Sequence, residues 1–536
     1  MLLFINRGIF FVFIKVRGDA YEQLINNDYT RNNEGSIYMI EIQNLTIKTT
    51  KDNRTLIDQF QLSIQKGDKI VIIGEEGNGK STLLKCIYNE QLLTDYCTYE
   101  GKIHKDGYLL GYLSQELSAQ EKMLTITELF IENSWNKELL IAMDDFRIES
   151  LVSNQTISDF SGGERFKYRF LKLLSMNPDV LLLDEPTNDL DIGTIEWLET
   201  FMQQTTIPIL FVSHDETFIK NTANAIIHIE LTNRKQTPKY TFSREPYETY
   251  LAHRENDLLK QEQVARKQAV DYKKQMEKWH DVWNKAEHQH QHVSRSDPRL
   301  QKKVKSLKNQ KKRMDRATDN FIEIPSVEEA SEFYFDSSIH VHRHKKILDL
   351  SLETLEIANK QLSKNIKLSI IGPEKVAIIG ENGVGKSTLL KRIIDTLKDH
   401  SSFKIGYMPQ NYEELLDPNQ TPISFLERTG DKEAMTKAFT HMGSVKFTSD
   451  EMQQKIGQLS GGQKAKLLLL KMIMDGCEIL ILDEPTRNFS PLTTPVLCHA
   501  LAQYSGAIIS VSHDRRYLKE VATTIYELTN EGLIKK

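Results

Sequence analysis

The chain has 536 residues, nearly balanced charge (69 Lys+Arg against 74 Asp+Glu, formal net charge −5) and 39% hydrophobic residues. This supports two or three domains with substantial cores and excludes a disordered, fibrous or disulfide-stapled protein; Cys86, Cys97, Cys477 and Cys498 show no CxxC or paired pattern and read as reduced thiols of a cytoplasmic protein. A membrane-spanning helix is also excluded, because the best candidate, Met1 to Val16, is interrupted by Asn6, Arg7 and Lys15 and falls short of ~20 apolar residues.

Residues 1–38 do not resemble the start of a folded domain and lack the small-residue cleavage site of a signal peptide. A repeat begins cleanly at Met39-Ile40-Glu41-Ile42, so Met39 is the expected start, and Glu34-Gly35 would be encoded by a purine-rich stretch placed as a ribosome-binding site. A short membrane-surface or interaction segment is the competing reading. The N-terminal mass of the native protein separates the two.

Residues 39–242 alternate strand-like and helical runs, the α/β pattern. Ile70-Val71-Ile72-Ile73 leads into Gly74-Glu75-Glu76-Gly77-Asn78-Gly79-Lys80-Ser81-Thr82, and a helix-like run follows. Strand, glycine loop and helix make a phosphate-binding P-loop: Gly74, Gly77 and Gly79 let backbone N–H groups turn inward, and the helix N-terminus adds a positive dipole end. Lys80 would reach the outer phosphates, and Ser81, followed by Thr82, would hold Mg2+. Three motifs follow: Phe160-Ser161-Gly162-Gly163-Glu164, then Leu182-Leu183-Asp184-Glu185-Pro186-Thr187, then Val212-Ser213-His214-Asp215. Asp184 would organise Mg2+ through water, Glu185 would orient or deprotonate the attacking water, and His214 would contact the γ-phosphate region. The Ser-Gly-Gly segment predicts a helix start whose N–H groups face phosphate.

Residues 243–326 change character. From His253 to Thr318 there are 18 Lys+Arg against 9 Asp+Glu, a net of +9, so the rest of the chain carries −14. Ala265, Ala269, Tyr272, Met276, Trp279 and Trp283 are spaced 4, 3, 4, 3, 4, and Leu300, Val304, Leu307 and Met314 continue the pattern on a second segment. This heptad seam predicts an antiparallel helical hairpin whose first arm, ~30 residues, projects on the order of 45 Å. Pro298 suits the first position of the second helix. His288, His290 and His292 alternate without an acidic or cysteine partner, which reads as a polar tip rather than a metal site, and the two tryptophans read as seam residues rather than base platforms.

Residues 327–536 repeat the first domain. Gly380, Gly383 and Gly385 with Lys386, Ser387 and Thr388 form a second P-loop after Val376-Ala377-Ile378-Ile379. Ser460-Gly461-Gly462, Asp483-Glu484 and His513 recur at an offset of 299 residues from their counterparts, whereas the P-loops are offset by 306. Four motifs in one order, twice, constitute an internal duplication. The roles carry over: Asp483 to Mg2+, Glu484 to water, His513 to phosphate.

The set of P-loop, Ser-Gly-Gly, Asp-Glu and His, with Gln115 after Gly111-Tyr112-Leu113-Ser114 and Gln410 after Gly406-Tyr407-Met408-Pro409, resembles that of ABC ATPases. The likeness implies that each glutamine joins its Mg2+ site to a helical subdomain, and that ATP is sandwiched between one domain's P-loop and the other's Ser-Gly-Gly. Lys80, Ser81, Glu185 and His214 would then work with Ser460, Gly461 and Gly462, and Lys386, Ser387, Glu484 and His513 with Ser161, Gly162 and Gly163. Two such domains, no membrane span and a basic helical linker resemble the ABC-F family of ribosome-binding translation proteins. The implied fold is two tandem ABC-type P-loop domains of α/β class joined by a long antiparallel α-helical hairpin.

Within the likeness, Arg487-Asn488-Phe489-Ser490-Pro491 departs from housekeeping members, which usually have aspartate at the position of Ser490, as Asp191 stands in repeat one. The variant, with the short insertion after Gln115 and the long linker, is similar to antibiotic-resistance members of the Vga, Lsa and Msr type. The resemblance implies an ATPase that binds the ribosome as a monomer, contacts 23S rRNA and P-site tRNA through its linker, and displaces drugs from the peptidyl-transferase centre. A housekeeping factor for stalled ribosomes and the energising subunit of a transporter are the competing readings. No aromatic residue ahead of either P-loop is placed to stack on adenine, Phe160 replaces the usual leucine, and Ser490 is expected to make the two sites unequal.

Overall fold

In the computed structural model, residues 2–6, 9–13 and 38–536 are described, apart from 52, 106, 116, 131–135, 147, 149–150, 152, 233–236, 293–297, 319–332, 336–338, 358–359, 401–402 and 428–430. Ahead of the first repeat, β1 (Leu2–Asn6) pairs antiparallel with β2 (Ile9–Phe13). Glu34-Gly35, the hairpin tip at 293–297 and the boundary at 326/327 lie outside the described residues.

In the first domain, β3 (Ile40–Thr49), β4 (Thr55–Ile64) and β6 (Cys97–His104) form a three-stranded antiparallel sheet. A second sheet holds β5 (Lys69–Gly74), β7 (Leu110–Leu113), β8 (Val180–Asp184), β9 (Ile209–Val212), β10 (Ala225–Thr232) and β11 (Thr237–Ser243), in the order β11-β10-β5-β9-β8-β7. Every pairing in it is parallel except β10 with β11. The parallel strands are apolar on both faces because helices cover one, and a helix with the antiparallel sheet covers the other. Two of these carry the motifs: α1 (Lys80–Tyr88) and α2 (Gly162–Ser175).

The hairpin follows: α3 (Tyr247–His292) and α4 (Pro298–Thr318). The first arm is longer than its sequence pattern indicates. It has 46 residues, about 70 Å at helical rise, because its first turns lie on the domain core before the seam begins. Tyr247 and Tyr250 are buried there, and Tyr250 Oη meets His228 Nδ1 at 2.8 Å. The arms are antiparallel: Tyr272 Oη donates to Asp315 at 3.1 Å, and Trp279 Nε1 donates to the Leu307 carbonyl at 2.9 Å. Ala265, Trp279, Ala286 and Leu307 are buried, with Met276, Trp283 and Met314 beside them. Ala269 is not in the seam. It is exposed, and Gln268 takes the half-buried place, since a straight helix drifts from a strict 3.5-residue repeat.

The second domain repeats the plan. A hairpin of β12 (Lys346–Ile357) and β13 (Lys360–Ile371) precedes a sheet of β14 (Lys375–Ile379), β15 (Ile405–Met408), β16 (Ile479–Asp483), β17 (Ala507–Val511), β18 (Thr524–Thr529) and β19 (Gly532–Lys535), ordered β15-β16-β17-β14-β18-β19. Its motif helices are α5 (Lys386–His400) and α6 (Gly461–Met474). The difference in P-loop offset has a structural origin. Strand β6 lies between α1 and β7, whereas α5 runs almost directly into β15. All four cysteines are buried and free, and burial pushes the Cys86 thiol up to about 12.

Trp279 is buried between the hairpin arms and bonded to the Leu307 carbonyl. Trp279→Ala is expected to destabilise the hairpin by about 3 kcal/mol. Limited proteolysis should then cut first between residues 260 and 318 while both nucleotide-binding domains stay intact; unchanged cleavage would show that the seam is not held there.

Candidate nucleotide-binding sites

Register places the chemistry. In the first domain Ile72 pairs with Val212 and Val212 with Asp184, so β5, β9 and β8 end level. The P-loop, the His214 turn and the Asp-Glu pair therefore emerge side by side, at the carboxyl ends of parallel strands where α/β sheets bind ligands. The same row recurs as Ile378, Val511 and Asp483. Close packing fixes each loop: a Cβ on Gly74 would sit 2.2 Å from the Ile229 carbonyl oxygen, and one on Gly380 2.4 Å from that of Leu528, so no other residue fits. Lys80 and Lys386 each donate to two carbonyls of their own loop, Gly74 and Glu75 or Gly380 and Glu381, at 2.8 and 2.9 Å. Each is thereby held across the loop that would cradle phosphate.

Ser81 Oγ donates to Asp184 at 2.9 Å, and Tyr112 Oη donates to the other carboxylate oxygen at 3.3 Å. Burial pushes Asp184 up to about 6, against the pull of the Ser81 hydrogen bond, and burial raises Asp483 likewise, against the Ser387 hydrogen bond. A hydroxyl and a carboxylate are hard oxygen donors that fit Mg2+. Among the described residues no three His, Cys, Asp or Glu side chains converge as a metal cage. Ser81 with Asp184, and Ser387 with Asp483, would hold Mg2+, and it would neutralise charge on the transferring phosphate.

Glu185 and Glu484 both adopt left-handed backbone, φ 51° and 52°. Such strain in a non-glycine residue persists where the surroundings over-determine it, and here it turns each carboxylate back toward the strand ends. His214 Nε2 lies 2.9 Å from Glu185 Oε1, and its backbone N–H donates to Glu185 Oε2 at 3.2 Å. His513 stands further off, 3.8 Å from Glu484 Oε1. Burial, reinforced by Asp483, pushes Glu484 up to about 8; burial and then Lys386 push His513 down to about 4. Both ring nitrogens of His513 are buried without a hydrogen bond, and Glu185 Oε1 is buried with only the His214 ring beside it. Such atoms suit an incoming phosphate and its water.

The two domains face each other head to tail. A cleft of about 870 Å3 holds Lys386, Ser387, Gln410, Glu484 and His513 on one side and Ser161 and Gly162 on the other. A smaller one, about 420 Å3, sets Glu75, Glu76, Gly77 and Asn78 against Ser460 and Gly462. Ser161 and Ser460 cap α2 and α6, in reciprocal boxes with Glu164 and Gln463. Gln410 lines the cleft of its own P-loop, Gln115 and His214 line that same larger cleft rather than the smaller one, and the smaller cleft is bordered by Glu75 to Asn78 but not by Lys80 or Ser81. Ile357 and Leu362 border the larger cleft, which has no Phe, Tyr or Trp in its lining, whereas Arg54, Phe447 and Phe489 border the smaller. Phe160 packs on Tyr168 at 4.9 Å.

Sequence reasoning missed the residues that bind the halves together. Asp189 accepts from Arg487 at 3.1 Å and from Gln410 at 3.4 Å, and its backbone carbonyl accepts from Asn382. His214 Nδ1 meets the Phe489 carbonyl at 2.8 Å. Arg515 pairs with Glu199 and Asp215, and Arg516 with Glu216. The only sequence signal was the unequal pair Asn188-Asp189 against Arg487-Asn488.

Glu185→Gln and Glu484→Gln should each lower ATP turnover on the order of 10²-fold while equilibrium nucleotide binding is retained; full turnover in the double variant would remove these glutamates from the reaction. Arg516→Glu should cost about 2 kcal/mol of interdomain affinity, and Glu216→Arg in the same chain should return part of it. Interdomain distances by double electron–electron resonance would check this.

The ABC transporter family model matches residues 57–188 and again 363–487. The chain is similar to ATP-binding protein Uup of Buchnera aphidicola (subsp. Acyrthosiphon pisum), 29% identical over 92% of this chain and 81% of Uup. It is similar to ribosome protection protein VmlR of Bacillus subtilis (strain 168), 29% identical over 93% of this chain and 88% of VmlR. Its fold matches a solved complex of archaeal ribosomal stalk protein aP1 with archaeal ribosome recycling factor aABCE1, with a TM-score of 0.58 and 14% identity over 92% of this chain and 89% of that one. By fold and by both model matches, the chain is a tandem pair of ABC-type nucleotide-binding domains joined by a helical hairpin.

Proposed function

We propose that this is an ATP-hydrolysing ribosomal protection protein of the Vga, Lsa and Msr type. The reading rests on the hairpin. On α4, Lys302, Lys303, Lys305, Lys308, Lys311, Lys312, Arg313 and Arg316 are all exposed, with Asp315 the only acid of that helix. A charge comb of this density attracts nucleic-acid phosphates over many contacts. The name of VmlR and the Arg-Asn-Phe-Ser-Pro turn support drug protection over other ribosomal tasks. Among the described residues no helix is long and apolar enough to cross a membrane, so nothing there supports a transporter's own channel.

The chemistry follows from the crossed sites. ATP bridging Lys80 to Ser460-Gly461-Gly462, and Lys386 to Ser161-Gly162-Gly163, favours the closed arrangement because each nucleotide touches both halves. Closure sets the angle of the hairpin, which contacts 23S rRNA and P-site tRNA near the peptidyl-transferase centre. Glu185 and Glu484 orient the attacking water, hydrolysis removes the bridge, and the monomeric factor is released into the cytoplasm.

Sedimentation of the Glu185→Gln, Glu484→Gln variant with ribosomes and ATP tests the reading; stable cosedimentation is expected, and none would end the ribosome assignment. Expression of the wild-type chain should raise the minimum inhibitory concentration of a lincosamide, a pleuromutilin or streptogramin A severalfold. Cosedimentation without such a rise would instead make this a housekeeping translation factor, and recovery with membranes a transporter subunit.

A further inference from the structure

The two P-loops are not copies at one position. Glu76 stands where the second repeat has Asn382. The exchange reverses hydrogen-bonding character: a carboxylate only accepts, whereas an amide also donates. Each side chain points across the interface at the opposite Ser-Gly-Gly. Asn382 lies against Gly163 and donates its amide to the Asp189 carbonyl. Glu76 instead accepts the backbone N–H of Gly462 at 2.6 Å through Oε2, and its Oε1 lies 3.2 Å from where a Cβ on Gly461 would stand. A half-buried carboxylate thus occupies the N-terminus of α6, a 14-residue helix whose dipole and free amides favour an anion.

That amide belongs to the wall opposite the glycine loop, Glu75 to Asn78, that leads into Lys80. A P-loop holds the inner phosphates in its own backbone, so the group that reaches the opposite wall is the outermost phosphate. Glu76 and a terminal phosphate are both anions with a claim on one N–H, and they cannot share it without like-charge repulsion. A diphosphate makes no such claim. In the second cleft the matching side chain is the uncharged Asn382, and the nearby Asp189 carboxylate is engaged by Arg487 and Gln410.

We propose that Glu76 is a specificity-determining residue that makes the two sites unequal in nucleotide preference. The Lys80 site closes on a nucleoside diphosphate nearly as well as on a triphosphate, because Glu76 supplies the anion that the missing phosphate would have supplied. The Lys386 site requires the triphosphate. The inference rests on nucleotides filling the two clefts and is independent of the ribosomal reading.

Full-length protein carrying Lys386→Ala and Glu185→Gln binds at the Lys80 site without turnover. Titration with fluorescent ATP and ADP should give dissociation constants within about threefold of each other, and adding Glu76→Asn should raise the preference for ATP on the order of tenfold. The mirror experiment protects against a misfolded variant. In a chain carrying Lys80→Ala and Glu484→Gln, Asn382→Glu should lower the preference of the Lys386 site for ATP by a similar factor. A purely structural role for Glu76 would weaken both nucleotides alike. A change in the ATP:ADP ratio of less than twofold in either experiment, with nucleotide still bound, would overturn the proposal. Absence of any nucleotide binding in the two parent chains would overturn the assignment of the clefts themselves.

Discussion

The level register of three parallel strands is the constraint from which both sites follow. Because Ile72, Val212 and Asp184 stand in one row, the glycine loop, the histidine turn and the acidic pair must leave the sheet together. A slip of one residue between β8 and β9 would turn Asp184 to the other face and separate it from Ser81. The apolar strands themselves enforce the row, since both faces of the sheet are covered and every side chain of β5 and β8 is buried. The same row in the second domain then makes a second, matching set of groups unavoidable. Neither set is complete alone, because the Ser-Gly-Gly helix of each half ends at the other half's cleft.

Duplication set the plan, and later substitution has made the halves differ. His214 is close to its glutamate and touches the opposite domain through Phe489, while His513 is buried with neither ring nitrogen bonded. Asp191 caps the helix after its motif by accepting from Thr194 at 2.8 Å. Its charge also reaches Lys386 and His513. Ser490, at the matching place, is buried and bonds Thr493 at 2.9 Å instead. The Lys80 site therefore lacks the carboxylate that the Lys386 site receives from its partner domain. Glu76 adds a negative group to the same site from within its own loop. These differences lie in the shell around the phosphates, not in the Lys, Ser, Asp and Glu that both sites keep.

Most of the fold was legible because its motifs answer to local geometry. A P-loop needs glycines where Gly74 and Gly380 approach a carbonyl, and a helix start favours serine with glutamate or glutamine three residues on, as at Ser161 and Ser460. Such requirements leave a fixed spacing in the sequence. Contacts between the halves do not. Asp189, Arg487, Arg515 and Glu199 meet only after both domains have folded and docked, and no periodicity marks them. Left-handed backbone at Glu185 and Glu484 was equally hidden, because it is imposed by packing rather than by residue type. The hairpin lies between these cases. Its apolar repeat showed the two arms, but the placement of Ala269 and the length of α3 depended on helix drift and on how the first turns seat on the domain.

That seating decides what the hairpin can report. Its first turns rest on the first domain through Tyr247 and Tyr250, and Glu248 pairs with Lys220 at 3.3 Å. Lys220 also pairs with Glu216 at 3.2 Å, and Glu216 pairs across the interface with Arg516, three residues beyond His513. On the return side Phe333 packs against Phe489 with ring centroids 6.2 Å apart, and the Phe489 carbonyl meets His214. The first arm is thus fastened, through Glu248, Lys220 and Glu216, to a contact that joins the two domains beside the His513 turn. A rigid arm of about 70 Å converts a small rotation at its root into a displacement many times larger at its tip, about 6 Å for each 5°. Sub-ångström changes in the clefts suffice only if the root is stiff, and packed aromatic rings with half-buried ion pairs are stiffer than a flexible linker would be. The bulky Tyr247 and Tyr250 therefore fix the hairpin's direction as firmly as the glycine loops fix the sites.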